Sequence, residues 1–354
     1  MLTIQSRSHP YNVEDFPTLS AALGAFSQNA GCFCLADQRV FSLYESDFAK
    51  ALPAERTFQI EATEDQKSFE ALTPIFVWLL KSGLRRDGCL LVVGGGVVQD
   101  IGCFIASVLF RGVRWELVPT TLLAQCDSCI GSKSSINIQS YKNQIGTFYP
   151  PHRVCLVPDV VKTLPPDEIR SGLGEIIKLH LLTGEKEFSN LMRDLTGHQE
   201  DTAVLAKWVL SSLQIKKSYI EVDEFDKGVR NLLNYGHTFG HAYESASHYG
   251  IPHGIAVTLG MLTATYISQK LGLVGAGYYR ELKEQLRPYY VPYEKVVKSL
   301  DLDKVLGAIK MDKKNTRAGV NCILTRGAGK MEKTAVNLEQ QLRPWLAEFM
   351  REEC

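Results

Sequence analysis

The hydrophobic pattern of this chain changes period once, at Pro165-Pro166-Asp167, and that change constrains its architecture. Before the proline pair, short apolar runs at 32–36, 58–60, 89–93, 116–118 and 153–157 end in turn or polar residues, as buried strands do. Helical patterns at about 19–27, 69–81 and 98–110 lie between them. Strand, helix, strand in this rhythm predicts a parallel sheet with helices on both faces, an architecture that binds nucleotides at the carboxyl ends of its strands. After the pair, 167–182, 202–220, 237–248, 254–271 and 279–286 read as long amphipathic helices. The expected fold is an α/β nucleotide-binding domain over 1–162 and an all-α domain for metal and substrate over 163–354. The prolines stop the preceding element, and Asp167 is placed to cap the next helix.

Composition narrows the partners. Lys plus Arg equals Asp plus Glu at 39 each, and no basic run supplies the phosphate-neutralising stripe of a nucleic-acid binder. The first residues lack the apolar core of a signal peptide, and no apolar run approaches the roughly 18 residues of a membrane span. A soluble, cytoplasmic protein with no nucleic-acid or membrane partner is expected. Nine cysteines is an odd number, and Cys89, Cys103 and Cys155 sit in apolar segments, which fits a reducing compartment better than a disulfide scaffold. Cys126-x-x-Cys129 lacks the second pair that a zinc knuckle needs.

Three stretches bear chemistry. Gly94-Gly95-Gly96-Val97-Val98-Gln99-Asp100 follows an apolar strand and opens a helix, where glycines let backbone amides approach a pyrophosphate at the positive end of the helix dipole. The run is not GxGxxG, and a tight strand-to-helix turn needs glycine in any case. Lysines and asparagines follow at Lys133, Asn137, Lys142 and Asn143, suited to phosphate or hydroxyl groups or to a solvated loop. In the second half, His237 and His241 are four apart and Glu175 and Lys178 three apart, each pair on one helical face. A histidine pair can be core or capping, and the Glu–Lys pair an exposed ion pair. Against this, the helix around Glu175 is apolar on most sides, and a buried carboxylate needs a cation. Glu175, His237 and His253 together have the composition of a catalytic zinc site.

The motifs GGGVVQD, FRGV, VPTTLLAQCDSCIGSK, KNQIGTFYPP, KTLPPDEIRSGLGEIIK, NYGHTFGHA, HG and MDKK, in this order over about 60–330, resemble the 3-dehydroquinate synthase family of sugar-phosphate cyclases. Related cyclases and, more distantly, glycerol-dehydrogenase-like enzymes share the two-domain plan. The resemblance implies that Glu175, His237 and His253 bind a divalent metal, zinc or cobalt. It implies NAD contacts from Glu64, Lys67, Gly94, Gly95, Gly96, Val97, Val98, Gln99, Asp100, Thr120, Thr121, Lys133, Lys142, Lys162 and Thr163. Substrate contacts would come from Arg111, Asp127, Lys133, Asn143, Lys178, Lys216, Arg230, Asn234, His241 and Lys314 in the Asp312-Lys313-Lys314 loop. His241 is expected to face substrate rather than metal.

The implied chemistry is an internal redox cycle. NAD takes and returns a hydride, phosphate leaves, and an aldol closure makes the carbocycle. The expected activity is that of a phosphate-eliminating lyase acting on 3-deoxy-arabino-heptulosonate 7-phosphate, in a homodimer. The alternative is a cyclase of the 2-deoxy-scyllo-inosose synthase or sedoheptulose 7-phosphate cyclase kind. Four departures from the family pattern stand out: Gln99 and Ser132 where glycine is usual, Ser134-Ser135 for a threonine and a small residue, and Ile255 for the glutamate of HGEA.

Overall fold

The computed structural model of the protein describes residues 1–27, 31–139, 141–311 and 319–353, and Lys314 with its loop lies outside them. The chain forms two compact units, Met1–Leu164 with Glu200–Asp226, and Pro165–Gln199 with Lys227–Cys354. The expected division near 163 therefore meets one exception. Helix Thr202–Val222 joins the first unit because its buried face, including Leu205, Leu213, Lys216 and Ile220, packs there.

Among the described residues, nine strands belong to the first unit: β1 (Leu2–Ile4), β2 (Tyr11–Asp15), β3 (Cys32–Asp37), β4 (Thr57–Ile60), β5 (Cys89–Gly94), β6 (Arg114–Pro119), β7 (Ile136–Ile138), β8 (Tyr141–Ile145) and β9 (Arg153–Leu156). Seven form one sheet in the order β1-β2-β9-β6-β5-β3-β4, parallel except for the β1–β2 edge, and β7–β8 is a separate hairpin. Every residue of β5 is buried, as a central parallel strand covered on both faces requires. Leu23, Phe26 and Phe48 pack with Cys34, Leu91, Val93 and Val118. Helix α5 (Gly96–Val108), numbered in chain order after Leu19–Ser27, Gln38–Leu43, Glu45–Ala51 and Thr73–Lys81, presses Gly102 against Val92, where a Cβ would overlap the valine side chain. Sequence patterning missed β1, β2 and the hairpin, which are short or alternate weakly. Eight described cysteines are free and buried, filling this unit's core and β10 as small apolar groups.

The second unit is helical, with one antiparallel hairpin among the described residues that its apolar patterning hid, β10 (Val320–Thr325) and β11 (Met331–Val336). Its axis is α10 (His253–Lys270), buried from Gly254 to Ser268. Around it lie α6 (Pro166–Thr183), α9 (His237–Ala246) and α11 (Ala276–Tyr290). Asp167 is not the cap of α6. Pro166 takes the first helical position, where its missing N–H costs nothing, and Asp167 sits inside the first turn, bonded to Arg170 and Tyr293.

Glycine sets how closely these helices cross. A Cβ on Gly174 of α6 would overlap the Gly254 carbonyl oxygen, and one on Gly254 would overlap that of Ser171. Gly236 and Gly260 bring α9 against α10 in the same way. Backbone contact of this kind leaves nowhere for a methyl group to go. Gly254→Ala should therefore destabilise by about 3 kcal/mol, the upper end of ordinary overpacking. Gly277→Ala in α11, where a Cβ meets nothing within 4 Å, should be neutral or stabilising by up to about 1 kcal/mol. Urea denaturation of the two variants checks both values, and similar stabilities would refute the crossing argument.

Candidate metal and cofactor sites

Glu175 has no exposed surface, and neither oxygen accepts a hydrogen bond of good geometry. It pairs with Lys178 one turn along α6, itself 2 % exposed. Its Oε1 stands 3.6 Å from His237 Nε2 and 3.3 Å from His253 Nε2. Burial pushes the carboxyl pKa up, but Lys178 and the His253 imidazole outweigh it and hold the group at about 2. Glu175 is thus an anion throughout the neutral range, in a place with no water to solvate it.

Both facing imidazoles are oriented from behind. The Nδ1 of His237 lies 3.3 Å from the Tyr235 carbonyl oxygen, to which it donates in the tautomer that this partner selects. The Nδ1 of His253 lies 3.2 Å from each carboxylate oxygen of Glu244. Each ring therefore turns its Nε2 toward Glu175, with Nδ1 held from behind as it is at metal-bound histidines. His241, exposed on the next turn of α9, brings a ring nitrogen within 4.8 Å of those of His237 and His253. Two imidazole nitrogens and a carboxylate oxygen, with the carboxylate lacking good hydrogen bonds, fit a divalent zinc-like cation.

Sequence reasoning missed Glu244. Its spacing from His237, seven residues or about two helical turns, was the available signal. Arg230 and Asn234 belong to the same unit, on the 3-10 segment Val229–Asn234, with Arg230 6 % exposed and Asn234 Nδ2 donating to the Asn231 carbonyl. The chain between Arg230 and His237 is not two regular helical turns. Gly236 turns it at φ 81°, which glycine adopts without strain, and His237 begins a new helix.

In the first unit, β5 lies beside β3, which connects outward to β4, while the chain after β5 passes to β6 on the other side. The order reverses there, and ligands of open α/β sheets bind at the carboxyl edge of such a point. Gly94-Gly95-Gly96 stands at that edge. Gly94 and Gly95 are demanded by packing, since a Cβ on either would crowd Val98 at 2.6 Å or Thr121 at 2.7 Å. A Cβ on Gly96 meets nothing within 4 Å, so open space lies before the first turn of α5. Val98 and Thr120 are buried, Thr120 N donates to the Gly94 carbonyl, and Val97 and Thr121 are half-buried.

Four of the predicted NAD residues form two ion pairs. Lys67 pairs with Asp100 at 2.7 Å, and Lys142 with Glu64 at 3.3 Å. Asn137 extends the second pair, donating to Glu64 Oε1 and accepting from the Asn143 backbone, while Ser135 N donates to Asp100 of the first. Lys162 and Thr163 follow β9 at the same edge, Lys162 paired with Asp159 and Thr163 donating to the Val160 carbonyl. Two further pairs tie this unit's 127–133 segment to its 200–226 segment: Lys216 with Asp127 at 3.0 Å and Lys133 with Asp226 at 2.7 Å. Arg111 is not brought to this edge. It follows the far end of α5, just before β6 begins, with φ 64° and its side chain exposed. Thirteen helical residues, about 20 Å, separate that end from the glycines.

Two outcomes follow for binding. Glu244→Gln should weaken zinc binding to the metal-free protein roughly ten- to a hundredfold, because an amide orients His253 less firmly than a carboxylate. Gly96→Val should abolish NAD binding while leaving zinc affinity and melting temperature unchanged, because its side chain enters open space. Calorimetric titration with each ligand measures both, and undiminished affinities would refute the two sites.

The family pattern described as 3-dehydroquinate synthase N-terminal matches residues 57–171, and that described as 3-dehydroquinate synthase C-terminal matches 172–315. The 3-dehydroquinate synthase of Dictyoglomus thermophilum is 36% identical over 311 residues, 87% of this chain and 86% of that protein. That of Thermoanaerobacter pseudethanolicus is 32% identical over 352 residues, 97% and 98%. A crystal structure of 2-deoxy-scyllo-inosose synthase with carbaglucose-6-phosphate, NAD+ and Co2+ superposes with TM-score 0.87 at 23% identity, over 99% of both chains. The 2-epi-5-epi-valiolone synthase of Streptomyces hygroscopicus, with NAD+ and Zn2+, gives 0.80 at 24%, over 97% of both. At these identities the structures establish the shared fold. The sequence relatives and the two family patterns, which together span 57–315, establish that this chain belongs to the 3-dehydroquinate synthase family.

Proposed function

We propose that this protein is a 3-dehydroquinate synthase, a carbon–oxygen lyase that closes 3-deoxy-arabino-heptulosonate 7-phosphate to 3-dehydroquinate with release of phosphate. The observation that carries this reading is the buried Glu175 carboxylate facing the Nε2 atoms of His237 and His253, in a chain of this family. Glu175, His237 and His253 would hold the metal, and the Gly96 end of α5 with Glu64, Lys67, Asp100, Thr120, Thr121, Lys142, Lys162 and Thr163 would hold NAD. When bound, the metal supplies a Lewis acid and the nicotinamide a reversible hydride acceptor.

The chain's own side chains bind and orient the substrate. Arg230 offers a planar fork to a carboxylate, and Lys133 and Lys216 offer point charges to phosphate and hydroxyl oxygens. Asp127, Asn143 and Asn234 hold ring hydroxyls. Lys178 lies beside the carboxylate where oxyanion charge develops, and His241 carries protons at the same cluster. This reading also makes the protein a cytoplasmic homodimer, a state that sedimentation of the purified protein checks.

Arg230 discriminates among substrates. If it clamps the substrate carboxylate, Arg230→Leu should lower kcat/KM for the keto-acid phosphate by about 1.5–3 kcal/mol, or roughly ten- to a hundredfold, with NAD and metal still bound. Product analysis on seven- and six-carbon sugar phosphates provides the test. Cyclisation of a carboxylate-free sugar phosphate only, undisturbed by Arg230→Leu, would replace this activity with that of another cyclase.

A further inference from the structure

Gln99 is buried in the first turn of α5, and both ends of its amide are committed to a single residue. Its Nε2 donates to the Ser128 carbonyl at 2.6 Å, and its Oε1 accepts from the Ser128 hydroxyl at 2.8 Å. Ser128 closes a π-helical turn, Ala124–Ser128, a local geometry that recurs at functional sites. The preceding residue is Asp127, held from another side by helix Thr202–Val222. There Lys216 Nζ donates to the Asp127 carbonyl at 2.6 Å and pairs with Oδ1 at 3.0 Å.

The backbone that carries Asp127 is thus clamped from two helices at once. On one side is an uncharged, reciprocated amide contact; on the other, a charge-assisted one. The first also ties the Asp127 turn to the helix turn that begins at Gly96. An apolar side chain at 99 would leave the Ser128 hydroxyl and carbonyl without these partners, and a glycine would leave a void beside them.

We infer that Gln99 is a positioning residue: through Ser128 it fixes the direction in which the Asp127–Lys216 pair is presented to substrate, in register with the first turn of α5. The inference rests on the proposal that Asp127 and Lys216 contact substrate. Ser128 and Lys216 hold the Asp127 main chain at neighbouring carbonyls, so losing one leaves the turn hinged on the other. A displacement of about 1 Å is enough to cost catalysis heavily.

The test is a double-mutant cycle with Gln99→Leu, which keeps bulk and removes both hydrogen bonds. Alone it should lower kcat on the keto-acid phosphate roughly ten- to a hundredfold, with the dissociation constant of NAD changed by less than about twofold. In an Asp127→Asn background the same substitution should add less than about a twofold loss, since the group it positions is already gone. Hydrogen exchange provides a readout independent of substrate. Amides at 126–130 should exchange at least about tenfold faster in Gln99→Leu, with those at 94–96 unchanged. An unchanged kcat, full multiplication of the two losses, or unchanged exchange at 126–130 overturns the inference. Wild-type protein inert toward the keto-acid phosphate overturns the substrate assignment instead, and the exchange measurement alone then decides whether Gln99 holds the turn.

Discussion

A carboxylate removed from water must have positive charge beside it, and the second unit is organised so that Glu175 meets that requirement. Lys178 supplies part of the charge from the same helix, and two imidazoles turn their Nε2 atoms toward the other oxygen. The geometry depends on backbone contact. Gly174 precedes Glu175, Gly236 precedes His237, Gly240 precedes His241 and Gly254 follows His253; each lies against a neighbouring helix, with no room for a Cβ at Gly174, Gly236 and Gly254 and a tight fit at Gly240. Helices bearing side chains at those positions would stand farther apart, and the four polar groups could not converge. The glycines therefore act on the site through interhelical distance, and the donors occupy the positions next to them in the chain.

In the first unit the corresponding constraint is topological. Reversal of strand order between β3 and β5 leaves the carboxyl end of β5 open, and the glycine run divides into two parts there. Gly94 and Gly95 make the turn fit against Val98 and Thr121, whereas Gly96 contributes only space. Burial would raise the pKa of Asp100, and Lys67 at 2.7 Å counters part of that rise, so the edge of the open space is held by an ion pair with little solvent around it. Such a pair contributes little net stability, because desolvation offsets most of its attraction. Its value lies in fixing the Glu64–Lys67 segment relative to α5.

The central strands and long helices were legible in the sequence because their apolar periods are unbroken. Of the proposed metal ligands, His237 was legible from its four-residue spacing to His241, which was expected to face substrate, and Glu175 from its apolar helix. Other features depend on tertiary contact. Helix Thr202–Val222 is amphipathic in either unit, and only packing assigns it to the first. The residue that orients His253 is Glu244, whose carboxylate looks like any polar position on α9 until α10 is laid beside it. Arg111, proposed for substrate and not for NAD, stands at the other end of α5 from the glycines, a separation that helix length sets.

The departures from the family pattern are each accommodated by a local contact. Ser132 adopts φ 61°, the region that glycine ordinarily fills, and its hydroxyl donates to Glu224, a buried carboxylate that also accepts from Ser6 and Arg7. Ser134 hydrogen-bonds Thr147 across the loop. Gln99 fills the space beside Ser128. Ile255 has no exposed surface on α10, where a glutamate two residues from His253 would need a cation of its own. Three of these changes lie in or against the segment that carries Asp127 and Lys133, and none falls on Glu175, His237 or His253. Under the proposed function the 127–135 segment would meet substrate, and it is held from three directions, by Gln99 at Ser128, by Glu224 at Ser132 and by Thr147 at Ser134.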